Sequence, residues 1–174
     1  IENNQVKKIN NFNNDVRYLL KTGDRDVDFI LVVTEIGTYK LDHRNVLTKL
    51  NTEDGIFITK INKSNDEYLI GTMTGLSKFN KLDNKTTPLI SSIPEARRVV
   101  EDDLGNIWIG TSHNGVCKIS NLNAKIPSIV YYDTVKGLPN NSYNLPFLIE
   151  GQVYFGTFKG IYQYNSKNDK FEKN

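Results

Sequence analysis

Residues able to carry acid–base or covalent chemistry are few in this sequence and widely scattered. The two histidines, His43 and His113, are isolated, and Cys117 is the single cysteine. Glu35, Asp54, Glu95 and His113 fall in turns but form no tight constellation, so no catalytic residue is assigned. Two of these carboxylates within about 5–9.5 Å of each other in a cleft would instead point to glycoside hydrolysis. No Gly-rich loop leads from a strand into a helix, which removes the usual phosphate cradle. Asp24, Asp26 and Asp28, with Glu35 at the twelfth place, mimic part of a calcium loop. The sixth place is Phe29 rather than Gly and a strand follows, so this stretch reads as an acidic hairpin turn. No metal ion and no cofactor are expected.

What remains is a set of polar and aromatic residues in short turns: Glu35, Arg97, His113, Asn114, Tyr143 and Lys159. On loops over a rigid scaffold, such groups suit sugar binding, where hydroxyls need paired polar groups and ring faces need aromatics. The competing reading is ordinary solvated turns. His113 with Asn114 ranks first because that turn has one extra residue, and Tyr143 and Arg97 follow.

The elements that position these turns repeat along the chain. Leu69-Ile70-Gly71-Thr72-Met73-Thr74-Gly75-Leu76 returns as Trp108-Ile109-Gly110-Thr111-Ser112-His113-Asn114-Gly115-Val116 and as Tyr154-Phe155-Gly156-Thr157-Phe158-Lys159-Gly160-Ile161. A weaker copy is Leu31-Val32-Val33-Thr34-Glu35-Ile36-Gly37-Thr38. The threonines at 34, 72, 111 and 157 are 38, 39 and 46 residues apart, a spacing that means a repeat architecture. Each copy is two β-rich runs joined by a few residues with Gly, which makes a hairpin. The second glycine is expected at φ > 0 in the turn. The first lies within a strand, where the absence of a side chain lets a neighbouring strand or blade come close. Val33 replaces it in the first copy, so that blade is expected to pack differently.

Each hairpin has a β-rich run before it, at 16–21, 56–61, 98–101 and 144–149, and one after it, at 45–50, 87–91, 128–132 and a short 170–171. Four short strands per period of roughly 40 residues define a β-propeller blade. The fold class is therefore all-β, with about four four-stranded antiparallel blades at 14–51, 54–92, 96–133 and 142–172 in a single domain over 1–174. Residues 1–13 are read as an outer strand, at 5–9, of a preceding or closing blade. Ragged ends and unequal blades favour an arc of a larger propeller over a closed four-bladed ring. In such a fold the signature turns and the blade-to-blade linkers, at 51–54, 95–98 and 138–143, share one face around the axis. Trp108 shares its column with Leu69 and Tyr154 and Cys117 shares one with Tyr39, Ser77 and Tyr162, so both are read as packing residues.

With 22 basic and 20 acidic residues and a net charge of +2, the chain offers no electrostatic case for nucleic acid or an acidic membrane surface. Nine Tyr, eight Phe and 38% apolar residues support a folded β protein. A single cysteine excludes an internal disulfide framework, and no run approaches the roughly 18 apolar residues of a membrane helix. The chain opens on Ile1 with no positive-then-apolar leader, so a processed form or a piece of something longer is expected.

The third copy, extended back through Glu101-Asp102-Asp103-Leu104-Gly105-Asn106-Ile107, resembles the two-component-regulator propeller repeat nearly throughout. Tyr132-Asp133-Thr134-Val135-Lys136-Gly137-Leu138-Pro139-Asn140-Asn141-Ser142 resembles that family's linker between blades, a second and independent motif. The likeness covers residues 16–165. It implies the periplasmic sensor part of a hybrid two-component sensor, best known in gut Bacteroidetes. There, paired propellers and a small β-sandwich lie outside the inner membrane, with histidine kinase and DNA-binding parts inside. The implied partners are an oligosaccharide or other small ligand, the remaining blades and sensor domains of the same chain, and a second copy in a homodimer. The first copy lacks the Gly-Thr pair and the second and fourth lack the Trp. No ligand residue belongs to the repeat consensus. A propeller enzyme acting on polysaccharide, as lyase or glycoside hydrolase, and a pure scaffold are the alternatives.

Overall fold

The structure is a computed structural model, and it describes residues 12–22, 29–62 and 64–174. The expected strand at 5–9 and the acidic residues Asp24, Asp26 and Asp28 lie outside the described residues. Sixteen strands form four antiparallel sheets, each ordered as in sequence. Blade one holds β1 (Val16–Lys21), β2 (Ile30–Thr34), β3 (Gly37–Leu41) and β4 (Leu47–Lys49). Blade two holds β5 (Gly55–Lys60), β6 (Glu67–Thr72), β7 (Leu76–Asn80) and β8 (Lys85–Ile90). Blade three holds β9 (Ala96–Glu101), β10 (Ile107–Thr111), β11 (Val116–Ser120) and β12 (Ser128–Tyr132). Blade four holds β13 (Leu145–Ile149), β14 (Gln152–Thr157), β15 (Gly160–Asn165) and β16 (Lys170–Lys173). The last strand, expected as a stub, pairs with β15 along four residues. The linker between blades three and four contains a single 3-10 turn, Thr134–Lys136, which periodicity had not signalled.

Side chains alternate between the two faces of each sheet, and both faces of the middle blades are buried. Leu31 and Val33 of blade one meet Ile58, Ile70 and Phe79 of blade two. Phe57, Leu69 and Leu76 of blade two meet Val99, Ile107, Ile109 and Ile119 of blade three. Trp108, Val116 and Tyr132 of blade three meet Phe155 and Phe171 of blade four. Trp108 is only 3% exposed, as its repeat column implied. Its ring lies 4.9 Å from that of Tyr164 and 5.6 Å from that of Phe155, and its indole N–H donates to Asp102. Cys117 is fully buried, and burial pushes its thiol up to about 12, consistent with packing rather than reactivity.

The innermost strands β1, β5, β9 and β13 pack successively, and no comparable packing joins blade four to blade one among the described residues. The blades therefore form an open arc. Ile161 occupies the column that Leu76 and Val116 fill in buried interfaces, yet it is 53% exposed on the free face of blade four.

The in-strand glycines act as expected at two of the interfaces. A Cβ on Gly71 would come within 2.4 Å of the Ala96 carbonyl oxygen, and one on Gly110 within 2.4 Å of that of Asn144. Between blades one and two the arrangement is reversed. Val33 stands in the glycine's place, and the facing position is Gly55, whose Cβ would lie 2.5 Å from Val33 Cγ1. The expected difference in blade one is thus a small residue moved across the interface. The turn glycines Gly37, Gly115 and Gly160 have positive φ. Gly75 departs from that expectation: its need is space, since a Cβ there would meet the Ile90 carbonyl oxygen at 1.9 Å.

Candidate functional site

The signature turns and the linkers lie together at one end of the blades. Backbone bonds stitch them to each other: Met73 N–H to Asp54 O, Glu95 N–H to Met73 O, Gly115 N–H to Asn141 O, and Tyr143 N–H to Thr111 O. The threonine of each signature organises its own turn. Thr34, Thr111 and Thr157 hydroxyls donate to the carbonyl of the turn glycine, and Thr111 Oγ1 also accepts Asn114 N–H.

Between blades three and four, the linker is fixed at its other end by a polar latch. Asp133 caps the 3-10 turn by accepting the Val135 and Lys136 N–H groups. Lys136 then pairs with Asp169 in the β15–β16 turn, and the Tyr132 and Tyr164 hydroxyls donate to the same carboxylate. Those contacts, Lys136 and Tyr164 first, hold Asp169 at about 2. With both ends tied, residues 140–143 are held over the turn that carries His113.

Four of the six turn residues singled out in the sequence come together here. Arg97 lies in a bulge at the start of β9, where the register with β10 shifts. Its Nε donates to Ser112 Oγ, and its Nη2 stands 3.6 Å from Glu95 Oε2. The Ser112 hydroxyl, then Arg97 and His113, hold the Glu95 carboxyl below its usual range. The His113 ring lies 6.0 Å from that of Tyr143, which lies 6.3 Å from that of Phe158 in the next signature turn. His113 and Asn114 also line a cleft of about 460 Å³, with Ser92, Tyr131, Asp133 and Asn141 as further walls.

Glu35 belongs to another blade, blade one, where its Oε1 accepts Asp15 N–H at 3.4 Å. Lys159 lies beside Phe158 in the fourth signature turn, but its side chain has no hydrogen bond or ion pair among the described residues, to the group or elsewhere, and only its backbone N–H is bound, to Thr157 Oγ1. Phe158, Ser112 and Glu95 join the cluster without having been ranked, although all three sit in the turns and linkers that the repeat marks out.

One feature of this end was invisible in the sequence. Five side-chain atoms are buried without a hydrogen bond among the described residues: Glu35 Oε2, Thr38 Oγ1, Glu53 Oε2, Asn144 Oδ1 and Glu95 Oε2, the last with the Arg97 ion pair at 3.6 Å in place of one. All five belong to the signature turns, the linkers or the strand residues beside them. Each can accept a hydrogen bond, and a buried polar atom left unpaired costs about 1–3 kcal/mol. Thr38 and Asn144 are themselves fully buried.

No protein-family model and no curated protein matches the chain. Solved structures do. The fold is similar to the extracellular domain of the hybrid two component system BT4673 from B. thetaiotaomicron, with a TM-score of 0.73 and 20% identity over 91% of this chain. It is similar in the same way to the extracellular domain of the hybrid two component system BT3049 from the same organism, with a TM-score of 0.72 and 19% identity over 91% of this chain. The chain spans only 21% and 23% of those two structures. At this identity the likeness establishes the fold: an arc of propeller blades of the kind found in such extracellular domains.

Proposed function

We propose that this chain is part of the ligand-sensing, extracytoplasmic region of a hybrid two-component sensor, placed in the periplasm, and that its ligand is an oligosaccharide. One observation supports this reading most directly: the His113, Tyr143 and Phe158 rings gather at the signature-turn end, beside a cleft of about 460 Å³ that His113 and Asn114 line. The exposed Tyr143 and Phe158 rings, with His113, supply apolar faces for sugar rings, and Asn114 and Asn141 bring polar groups to the cleft beside them. The sensor role is carried over from the similar structures, which are described as extracellular domains of such systems. A histidine kinase elsewhere in the parent protein and a homodimeric receptor belong to the same proposal. The ligand must bind two arrangements of that receptor unequally, because equal binding shifts nothing.

Calorimetric titration of the whole extracytoplasmic region with a panel of neutral and acidic oligosaccharides tests the reading. Binding that weakens about tenfold in Tyr143→Ala or His113→Ala supports it. Silence across the panel sinks it. Turnover of any oligosaccharide would instead favour the polysaccharide-acting enzyme, with Glu95 and Glu35 as its first carboxylates to test.

A further inference from the structure

Three arginines lie on the innermost strands, and their charges are handled differently. Arg17 on β1 pairs with Asp54 and donates to the Gly55 carbonyl. Arg97 on β9 is held by Ser112 and Glu95. Arg98, the next residue, has no carboxylate partner among the described residues. Its Nε donates to the Pro146 carbonyl oxygen at 2.8 Å. Its guanidinium carbon stands 5.2 Å from the centre of the Phe57 ring and 4.1 Å from that of the Phe147 ring.

That placement fixes where the guanidinium is. Phe57 lies on the inner strand of blade two and Phe147 on the inner strand of blade four, with blade three between them. A side chain of blade three reaches both rings only from the inner edge of its own sheet, the edge that lines the axis. Arg98 also pairs in register with Gly110, two residues into β9 from the turn end that carries His113 and the unpartnered acceptors. Two ring faces orient the plane of the cation. With Nε occupied, the Nη1 and Nη2 edge remains as a two-pronged donor, the geometry that takes a carboxylate or sulfate oxygen pair.

We infer that Arg98 is the anchor for an anionic group of the ligand, a uronate carboxylate or a sulfate ester, bound at the inner wall just below the turn end. The inference rests on the oligosaccharide reading for the rest of the ligand and adds its charge. The rings and cleft of the turn end take the neutral sugar, and the one guanidinium of the inner strands without a carboxylate partner among the described residues takes the acid. Uronate and sulfate differ in shape and charge delocalisation but offer the same pair of oxygens.

The experiment uses the full extracytoplasmic region with three matched probes: a neutral oligosaccharide, its uronate-containing counterpart and its sulfated counterpart. The acidic probes are expected to bind at least about tenfold more tightly than the neutral one, with affinity falling as salt rises. Whichever acidic probe binds more tightly identifies the source of the anion. Arg98→Gln should abolish that preference and leave neutral binding unchanged, while Arg98→Lys should retain part of it. Equal binding of neutral and acidic probes overturns the inference and leaves the sensor reading standing. A titration with inorganic sulfate, read at the Arg98 Nε resonance, separates the two further. A shift there when none of the three oligosaccharides binds keeps the anion site and sinks the glycan reading, whereas no shift sinks the anion site. Should Arg98→Gln fail to fold, Phe147→Leu, which removes one orienting ring at a partly exposed position, must still weaken the acidic probes selectively.

Discussion

The two ends of the blades differ in how completely their polar atoms are satisfied. At the end away from the signature turns, acidic and amide side chains close their own turns. Asp42 accepts the Arg44 and Val46 N–H groups. Asp102 accepts those of Leu104 and Asn106 together with the Trp108 indole, and Asp83 accepts that of Lys85. At the signature end, Glu35, Thr38, Glu53 and Asn144 each keep a buried acceptor atom without a hydrogen bond among the described residues, and Glu95 Oε2 has only the Arg97 guanidinium at 3.6 Å. Both ends come from the same repeat, so the difference is not one of scaffold. One end is closed by its own side chains; the other also has closed turns, through the signature threonines and Asn51, but keeps these few buried atoms without hydrogen bonds. Buried polar atoms without partners are rare in folded proteins, so their confinement to one end calls for a physical reason.

Substitutions can break this contrast. The largest effect belongs to the self-sufficient end. Trp108→Ala empties the centre of the interface between blades three and four, and chemical denaturation should show a loss of about 3–5 kcal/mol. Asp102→Ala strands two turn N–H groups and the indole N–H, and should cost about 2 kcal/mol without altering ligand affinity of the folded protein. A ligand affinity that fell with Asp102→Ala would mean that the two ends are coupled and the contrast is false.

At the open end the expected sign reverses. Thr38→Val removes a fully buried hydroxyl whose oxygen has no partner and keeps the shape of the side chain. Its stability should be unchanged or higher by up to about 1 kcal/mol. A clear destabilisation in thermal or denaturant unfolding would show that the hydroxyl has a partner after all.

The smallest effect is on acid tolerance. Lys136, Tyr164 and Tyr132 hold the Asp169 carboxyl at about 2, below its ordinary 3.8. A carboxylate depressed in the folded state contributes stability that is present above its unfolded value and is lost as pH falls through the folded one. The latch should therefore loosen between about pH 4 and pH 2. Asp169→Asn should flatten that acid limb, measured as the midpoint of unfolding against pH, and leave the neutral-pH profile of the Asp102 end as it was.

Much of this architecture is legible in the residues. Four signature copies place four hairpins, and the runs before and after them become the inner and outer strands. Trp108 and Cys117 are placed in the core by the residues that share their columns. The turn end is legible as a region for the same reason, since a loop that varies within a fixed repeat stands out. Its internal geometry is not. Nothing local in the sequence brings Ser112 to Arg97, 15 residues away within blade three, or turns the Tyr143 ring toward both His113 of blade three and Phe158 of blade four. Arg98 is harder still to find: its neighbour Arg97 looks equivalent in sequence, and only the positions of Phe57, Phe147 and Glu95 separate a compensated cation from an open one. The bulge that parts the two arginines is likewise a property of pairing with β10 rather than of the residues alone.

The exchange of Val33 and Gly55 has a consequence for how such a chain can change over time. Blades that arise by duplication begin as interchangeable units. Here the first junction is keyed the opposite way from the next two, with the bulky partner on the preceding blade and the bare backbone on the following one. A copy of blade two inserted ahead of itself would bring Gly71 against Gly55 and leave a hole. Blade three placed directly after blade one would drive Ala96 into Val33. The order of the first two blades is thus favoured by complementary fit: a side chain at Gly55 collides with Val33, and a smaller residue at Val33 leaves a cavity, unless the other position changes with it.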